Sequence, residues 1–185
     1  MSSSPSSTPD AALPDARRAA LVQWLGTLPP EYALRPETLC PASADASFRR
    51  YFRIDAGDAS LIAMDAPPDK EDSRPFIHVA GLLAAAGLNA PRVLEADLAQ
   101  GYLLLTDLGT TTYLAALNDD NASALFDDAL EALIRWQLAS RPGVLPPYDE
   151  ALLRRELSLF PDWYVARHLG HALSDRQSQV LRRMV

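Results

Sequence analysis

A change in the spacing of apolar residues constrains the fold more than any other feature of this sequence. Along residues 48–54, two sets of side chains alternate with a period of two, which is typical of a β-strand. The turn residues 56–58 and a second strand-like segment, 60–65, follow directly, so an antiparallel hairpin is predicted. Beyond Gly109, the pattern is helical. Strands followed by helices predict an α+β protein.

Proline and glycine residues mark the ends of the other elements. A first helix ends before Pro29, and a second begins at Pro75 and ends at Gly87. This order of elements predicts a small antiparallel sheet with one inserted helix, followed by helices only. The predicted helices cover 15–28, 75–86, 112–117, 122–138, 149–168 and 174–184, and two further strands cover 92–96 and 102–107.

Composition limits the number of domains. The chain has 185 residues, of which 48% are hydrophobic and 22% are charged, so one lobe with a helical attachment is expected rather than two large domains. Residues 1–14 are rich in Ser, Pro and Ala, and we interpret them as a disordered tail rather than a signal peptide.

Charge and cysteine content exclude several classes of protein. The net charge of −7 argues against nucleic-acid binding, because phosphate backbones are bound by clustered Lys and Arg. Cys40 is the only cysteine, so an internal disulfide is excluded and the reducing cytoplasm is favoured. No apolar stretch approaches the length of about 20 residues that a membrane-spanning helix needs. The sequence therefore predicts a cytoplasmic protein with no nucleic-acid or membrane partner.

Four segments carry a resemblance to a known family. Segments 47–53 and 64–68 are the more specific pair, whereas segment 84–94 supports only the fold. Together with segment 156–169, which contains the run Phe-Pro-Asp-Trp-Tyr, they make the chain similar to the aminoglycoside phosphotransferase family. Within it, the chain most resembles the N-acetylmuramate/N-acetylglucosamine 1-kinases of bacterial cell-wall recycling.

The resemblance implies a kinase-like fold and a phosphoryl-transfer reaction. Residues 15–107 would form the N-lobe with its N-terminal helix, and residues 108–185 would form the hinge, the linker and the first helices of an incomplete C-lobe. The implied cofactors are ATP and Mg²⁺, and the implied acceptor is the anomeric hydroxyl of N-acetylmuramate or N-acetylglucosamine. Nucleotide and sugar are thus the expected partners.

The resemblance also implies what these 185 residues do not contain. In the family, the second lobe supplies a His-x-Asp loop with a downstream Asn, and then an Asp that holds metal. None of His78, His168 and His171 is followed two residues later by Asp. We therefore assign no catalytic residue and no metal ligand, and we expect the chain to be inactive alone.

The loop before the first long strand is the predicted phosphate site. Residues 44–47 occupy the place of the family's phosphate-covering loop, which implies ATP contacts from Ser47, Phe48 and Arg49. An ordinary polar turn is the alternative. Arg49 and Arg50 should point to opposite faces of the strand, so only one of them can face the nucleotide, and the sequence leaves open which.

The predicted ATP site has two further parts, a strand–helix pair of residues and the hinge. Kinases hold the phosphates with a strand Lys paired to a helix Glu, but here the strand position is Met64 and the helix position is near Phe76. An apolar pair of this kind could pack the core of the lobe. Leu105, Thr106, Asp107 and Leu108 would form the hinge, whose backbone groups can bind the adenine edge. Thr106, Asp107 and Leu108 are the predicted ATP contacts there.

A helix near the C-terminus is the candidate sugar site. Glu156, Asp162 and Trp163 combine acids and an aromatic ring, which is typical of side chains that hold sugars. The alternative is a core stripe, because apolar residues recur there at helical spacing. These are Leu153, Leu157, Phe160 and Tyr164.

Two other functions stay open at this point. One is a non-catalytic nucleotide-binding or interaction module from a truncated gene, which would self-associate through exposed side chains such as Leu157, Phe160 and Leu169. The other is a phosphotransferase that acts on an aminoglycoside or another small alcohol.

Overall fold

The computed structural model describes residues 15–44 and 47–184, so the predicted tail at 1–14 and two residues of the predicted phosphate loop, 45 and 46, lie outside the described residues. The chain divides into two compact units, Met1–Ala139 and Ser140–Val185. The division into an N-lobe and hinge at residue 107 stays a prediction.

The first unit is built on a five-stranded antiparallel sheet. The strands lie in the order β1-β2-β3-β5-β4, and a helix, α2 (Arg74–Ala85), is inserted between β3 and β4. This arrangement confirms the predicted α+β fold of a kinase-like N-lobe. The strands are β1 (Leu34–Ala44), β2 (Arg50–Ala56), β3 (Ala59–Asp65), β4 (Val93–Asp97) and β5 (Tyr102–Thr106).

Both faces of the sheet are covered, each by one helix. On one face, Leu21 and Leu25 of helix α1 (Ala16–Leu25) pack against Ile54 and Leu104. On the other face, residues of α2 pack against a second cluster of buried side chains. Residues 102–105 of β5 are at most 2% exposed, because alternate side chains enter the two clusters. Double burial explains why this strand is a continuous apolar run.

A buried carboxylate ties α1 to the sheet. Asp65, at the end of β3, is fully buried and is paired with Arg17 from α1 and Arg50 from β2. Arg17 Nε lies 2.9 Å from Asp65 Oδ1, and Arg50 Nε lies 3.0 Å from Oδ2. Arg50 also contacts Asp15, which caps the start of α1. A buried charge of this kind is tolerated only when it is paired and hydrogen-bonded.

The remaining elements are helices, the first of them a short 3-10 helix at Pro30–Tyr32, before β1. The first unit continues with α3 (Tyr113–Ala116) and α4 (Ala122–Ala139), and the second contains α5 (Glu150–Leu159), a π-helix (Phe160–His168) and α6 (Asp175–Met184). The single helix predicted over 149–168 is therefore an α-helix followed by a π-helix. Among the described residues, no helix combines the length and the apolar character needed to cross a bilayer.

The turn between β4 and β5 generates a stability prediction. Gly101 has a φ of +79°, and a Cβ added there would lie 1.9 Å from the carbonyl oxygen of Ala66. Gly101→Ala should lower the free energy of unfolding by about 2 kcal/mol or more, because strain and a backbone clash add together. Denaturant unfolding followed by circular dichroism measures this loss.

Gly87 provides the matched control. Its φ is +72°, but an added Cβ would meet nothing within 4 Å. Gly87→Ala should therefore cost only about 1 kcal/mol, the penalty of the left-handed conformation. Equal losses at the two positions would contradict the packing described for Gly101.

Candidate functional site

A cavity of about 300 Å³ opens on the α2 side of the sheet, where β5 ends. Tyr51 and Arg53 of β2 line it, together with the segment 106–109 that follows β5. Its apolar walls come from Ala42, Ile62, Phe76, Pro91 and Leu105. All four predicted hinge residues, Leu105, Thr106, Asp107 and Leu108, therefore line this cavity, which is called the hinge cavity below.

The carboxylate of Asp107 fixes the backbone at this cavity. It accepts hydrogen bonds from Arg53 Nε at 2.5 Å, Arg53 Nη2 at 3.0 Å, Ser60 Oγ at 2.7 Å and the Gly109 amide at 2.9 Å. The Arg53 guanidinium above all, and then the Ser60 hydroxyl, hold the pKa of Asp107 well below its usual range, against the opposing effect of burial. Asp107 is thus a structural anchor, which leaves its backbone rather than its side chain to face a ligand.

The backbone of the predicted hinge differs from residue to residue in its free hydrogen-bond donors and acceptors. The Thr106 amide donates to the Arg92 carbonyl at 3.0 Å, and the Thr106 hydroxyl accepts from the Arg92 amide at 2.9 Å. Among the described residues, neither the N–H nor the C=O of Leu108 has a hydrogen-bond partner. Leu108 therefore presents one donor and one acceptor beside the cavity.

The predicted phosphate loop lies at the other end of β2. Ser47 Oγ accepts from the Arg49 amide at 3.1 Å, and the Phe48 amide donates to Glu71 Oε1 at 3.3 Å. Arg49 Nη2 lies 3.1 Å from Glu71 Oε2. Ser47, Phe48 and Arg49 do not line the hinge cavity.

The structure resolves which of the adjacent arginines lies on the cavity side of the sheet. Arg50 is held by Asp65 and Asp15 on the α1 side. Arg49 is paired with Glu71, which lies just before α2. Arg49 is therefore the arginine on the same side as the cavity.

The two apolar residues at the usual phosphate-holding positions lie together in the core. Met64 is fully buried in a cluster with Leu103 and Leu105, and Phe76 packs against that cluster. The Met64 side chain is not among those that line the cavity, whereas Phe76 is. A nucleotide contact from Met64 stays a prediction.

The candidate sugar-site residues lie in the second unit. Glu156 is paired with Arg155 at 3.1 Å, Asp162 is exposed, and the Arg167 guanidinium lies 4.0 Å from the centroid of the Trp163 ring. The residues of the alternative core stripe, Leu153, Leu157, Phe160 and Tyr164, are 45–51% exposed. The rings of Phe160, Tyr164 and His168 stack along the π-helix with centroid distances of 5.6 and 5.4 Å.

Within residues 15–44 and 47–184, no three side chains of His, Cys, Asp or Glu come together in a group suited to a metal ion.

The sheet, the inserted helix and the hinge cavity define a protein with a kinase-like fold. Residues 38–184 match the phosphotransferase enzyme family, and the chain belongs to that family. The chain is 58% identical over 163 residues to the N-acetylmuramate/N-acetylglucosamine kinase of Pseudomonas aeruginosa, which covers 84% of this chain and 48% of the relative.

Two other relatives have the same name. The protein of Pseudomonas putida is 50% identical over 147 residues, which is 80% of this chain and 43% of the relative. The protein of Neisseria meningitidis is 42% identical over 174 residues, which is 91% of this chain and 51% of the relative. The chain thus spans about half the length of the curated relatives it matches.

Sequence reasoning missed several residues of the site. Tyr51, Arg53 and Ile62 line the cavity, Ser60 holds Asp107 beside it, and Glu71 holds Arg49 at the other end of β2. The alternation along residues 48–54 was a usable signal for two of them, because Tyr51 and Arg53 share a face with each other and not with Phe52. Ser60 and Glu71 gave no such signal.

The Asp107 anchor generates a prediction about pH. A carboxylate whose folded-state pKa lies below its unfolded value stabilises the fold above the unfolded value, near 4, and loses that contribution as pH falls further. Asp107→Asn should therefore lower the free energy of unfolding by about 2–3 kcal/mol at pH 5–8, and by progressively less below pH ~4. Urea unfolding of both proteins across this range tests it.

Asp55→Asn is the control for that measurement. Asp55 pairs with Arg35 at 3.0 Å, but both side chains are about half exposed. Its loss should stay below about 1 kcal/mol. A loss at Asp107 no larger than this, or one unchanged down to pH 2, would contradict the anchoring role.

Proposed function

We propose that this chain is the nucleotide-binding part of an ATP-dependent kinase that phosphorylates the anomeric hydroxyl of N-acetylmuramate and N-acetylglucosamine. The observation that carries the proposal is the hinge cavity in a chain that belongs to the phosphotransferase enzyme family. Beside it, the Leu108 N–H and C=O have no hydrogen-bond partner within the described part of the chain. The names of the similar proteins support the choice of sugar.

The cavity fits the base of a nucleotide. Its volume of about 300 Å³ lies at the lower end of the range for small-molecule sites, and such sites are mostly apolar with a few polar groups. Ile62, Leu105 and Phe76 would contact the faces of the adenine ring, and the Leu108 backbone would pair with its edge. Bound ATP would supply the phosphoryl group that is transferred.

Magnesium is implied by the family, but the described residues do not fit it. They bring no group of three or more acidic, histidine or cysteine side chains together. We therefore assign no magnesium ligand to this part of the chain and derive no step through the ion.

For the sugar, we propose contacts from Glu156, Asp162 and Trp163. Two exposed acids and a half-exposed aromatic ring in one helical segment are suited to hydroxyl groups and to the apolar face of a sugar ring. The sequence contains no His-x-Asp, so we expect no phosphoryl transfer from these residues alone. A cytoplasmic location also stays a prediction.

An interaction module is the second candidate, and one observation favours it. Phe126, Leu130, Leu133 and Ile134 of α4 recur at helical spacing and are each about half exposed. An apolar stripe of this kind promotes association. Concentration-dependent oligomerisation, without nucleotide binding, would favour this function.

A substitution that fills the cavity tests the proposed nucleotide site. Ala42 is half-buried and lines the cavity, so Ala42→Trp should fill it and weaken the binding of ATP and of adenosine by at least about tenfold. Calorimetric titration of the 185-residue chain measures both affinities.

The same substitution on β4 is the control. Ala96 is exposed and does not line the cavity, so Ala96→Trp should bind both ligands as the unmodified chain does. Equal binding by the two variants would place the nucleotide elsewhere. A folded, unmodified chain that binds neither ligand at millimolar concentration would contradict the proposal.

A further inference from the structure

The loop at the start of β2 and the segment before α2 are joined by an ion pair that the usual kinase pattern does not include. We propose that Arg49 and Glu71 replace the lysine–glutamate pair of other kinases, with Arg49 contacting the nucleotide phosphates and Glu71 acting as its positioning residue. This assignment rests on the proposed binding of ATP and adds to it the way in which the triphosphate is held.

A replacement is needed because the usual positions are apolar. Protein kinases pair a Lys of the third strand with a Glu of the inserted helix, and that Lys holds the phosphates. Here Met64 of β3 is fully buried, and Phe76 of α2 packs against the same cluster. Neither of these uncharged side chains can attract an anion, so a cation elsewhere on the α2 side of the sheet would have to do so.

The contacts of Glu71 show how it would position Arg49. One of its oxygens, Oε2, lies 3.1 Å from Arg49 Nη2, and the other, Oε1, accepts from the Phe48 amide at 3.3 Å. The side chains of Arg49 and Glu71 are only 27% and 16% exposed. Glu71 thus restrains both the guanidinium and the loop backbone in a partly desolvated place, where an ion pair has more influence than it has in water.

Arg49 also keeps more free hydrogen-bonding capacity than the neighbouring arginines do. A guanidinium carries five N–H donors, and within the part of the chain that the structure describes, Arg49 Nε is buried without a partner. Arg50 is bound to Asp15 and Asp65, and Arg53 is bound to Asp107 and the Gly109 carbonyl. Within the described residues, Arg50 uses four of its five donors and Arg53 uses three, whereas Arg49 uses one, so Arg49 has the most donors left for a phosphate.

The position of Arg49 along the sheet agrees with this role. It lies four residues before Arg53, so the two are about 13 Å apart along the strand at roughly 3.3 Å per residue. Arg53 lines the hinge cavity, where the base would lie. A nucleotide with its base at that cavity would extend its phosphates along β2 toward the Arg49 end.

The test compares a ligand that has phosphates with one that lacks them. Calorimetric titrations of the 185-residue chain with magnesium ATP and with adenosine are made for Arg49→Ala, Glu71→Ala and the double variant. Each single substitution should weaken ATP binding by about tenfold, the loss expected for a charge-assisted hydrogen bond, and leave adenosine binding unchanged. The double variant should lose no more than Arg49→Ala alone, since Glu71 acts through Arg49.

Arg35→Ala is the matched control, because Arg35 also forms an ion pair with a carboxylate but an exposed one, away from the cavity. It should bind both ligands normally. The proposal is overturned if Glu71→Ala binds ATP as well as or better than the unmodified chain, if ATP and adenosine lose affinity equally, or if the two losses add. Unmodified chain that binds neither ligand would overturn the proposed function itself, whereas normal ATP binding by the variants would overturn only this inference.

Discussion

Neighbouring side chains along β2 and the residue before it point to opposite faces of the sheet, and this alternation places the arginines at 49, 50 and 53 on two different faces. Arg50 lies on the α1 face, where it neutralises the buried carboxylate of Asp65. Arg49 and Arg53 lie on the α2 side, one paired with Glu71 and the other with Asp107. The register of β2 therefore determines both the core of the lobe and the candidate site. A shift of one residue in that register would exchange the partners of these arginines.

Two buried carboxylates, Asp65 and Asp107, pair with the arginines of β2. Asp65 ties α1 to the sheet, and Asp107 ties the segment after β5 to β2. Each is almost completely removed from water, so each needs arginine partners, two at Asp65 and one at Asp107, and loss of Arg53 would leave Asp107 without a paired charge. The cavity beside residues 106–109 is therefore fixed to β2 by a paired carboxylate, as the proposed positioning of a nucleotide requires.

The sequence predicted the hairpin and α2 because a period of two and the Pro and Gly boundaries are local signals. It gave no bounds for β1, since Pro36 and Pro41 interrupt the pattern, and the pairing of β1 with β2 shifts register between Arg35 and Cys40. The hinge segment was found through family resemblance. The pairs that shape the site join residues 22 and 54 positions apart, and no local pattern encodes such distances.

Amide hydrogen exchange, with and without ATP, tests most directly whether nucleotide lies along β2 between the hinge and Glu71. The structure predicts that ATP slows exchange in two separate segments, at residues 47–49 and 106–109, while α1 on the opposite face is unaffected. Adenosine should protect only the second segment, because it lacks the phosphates that would reach Arg49. Protection confined to α1 or to the second unit, with no change at the hinge, would contradict the account.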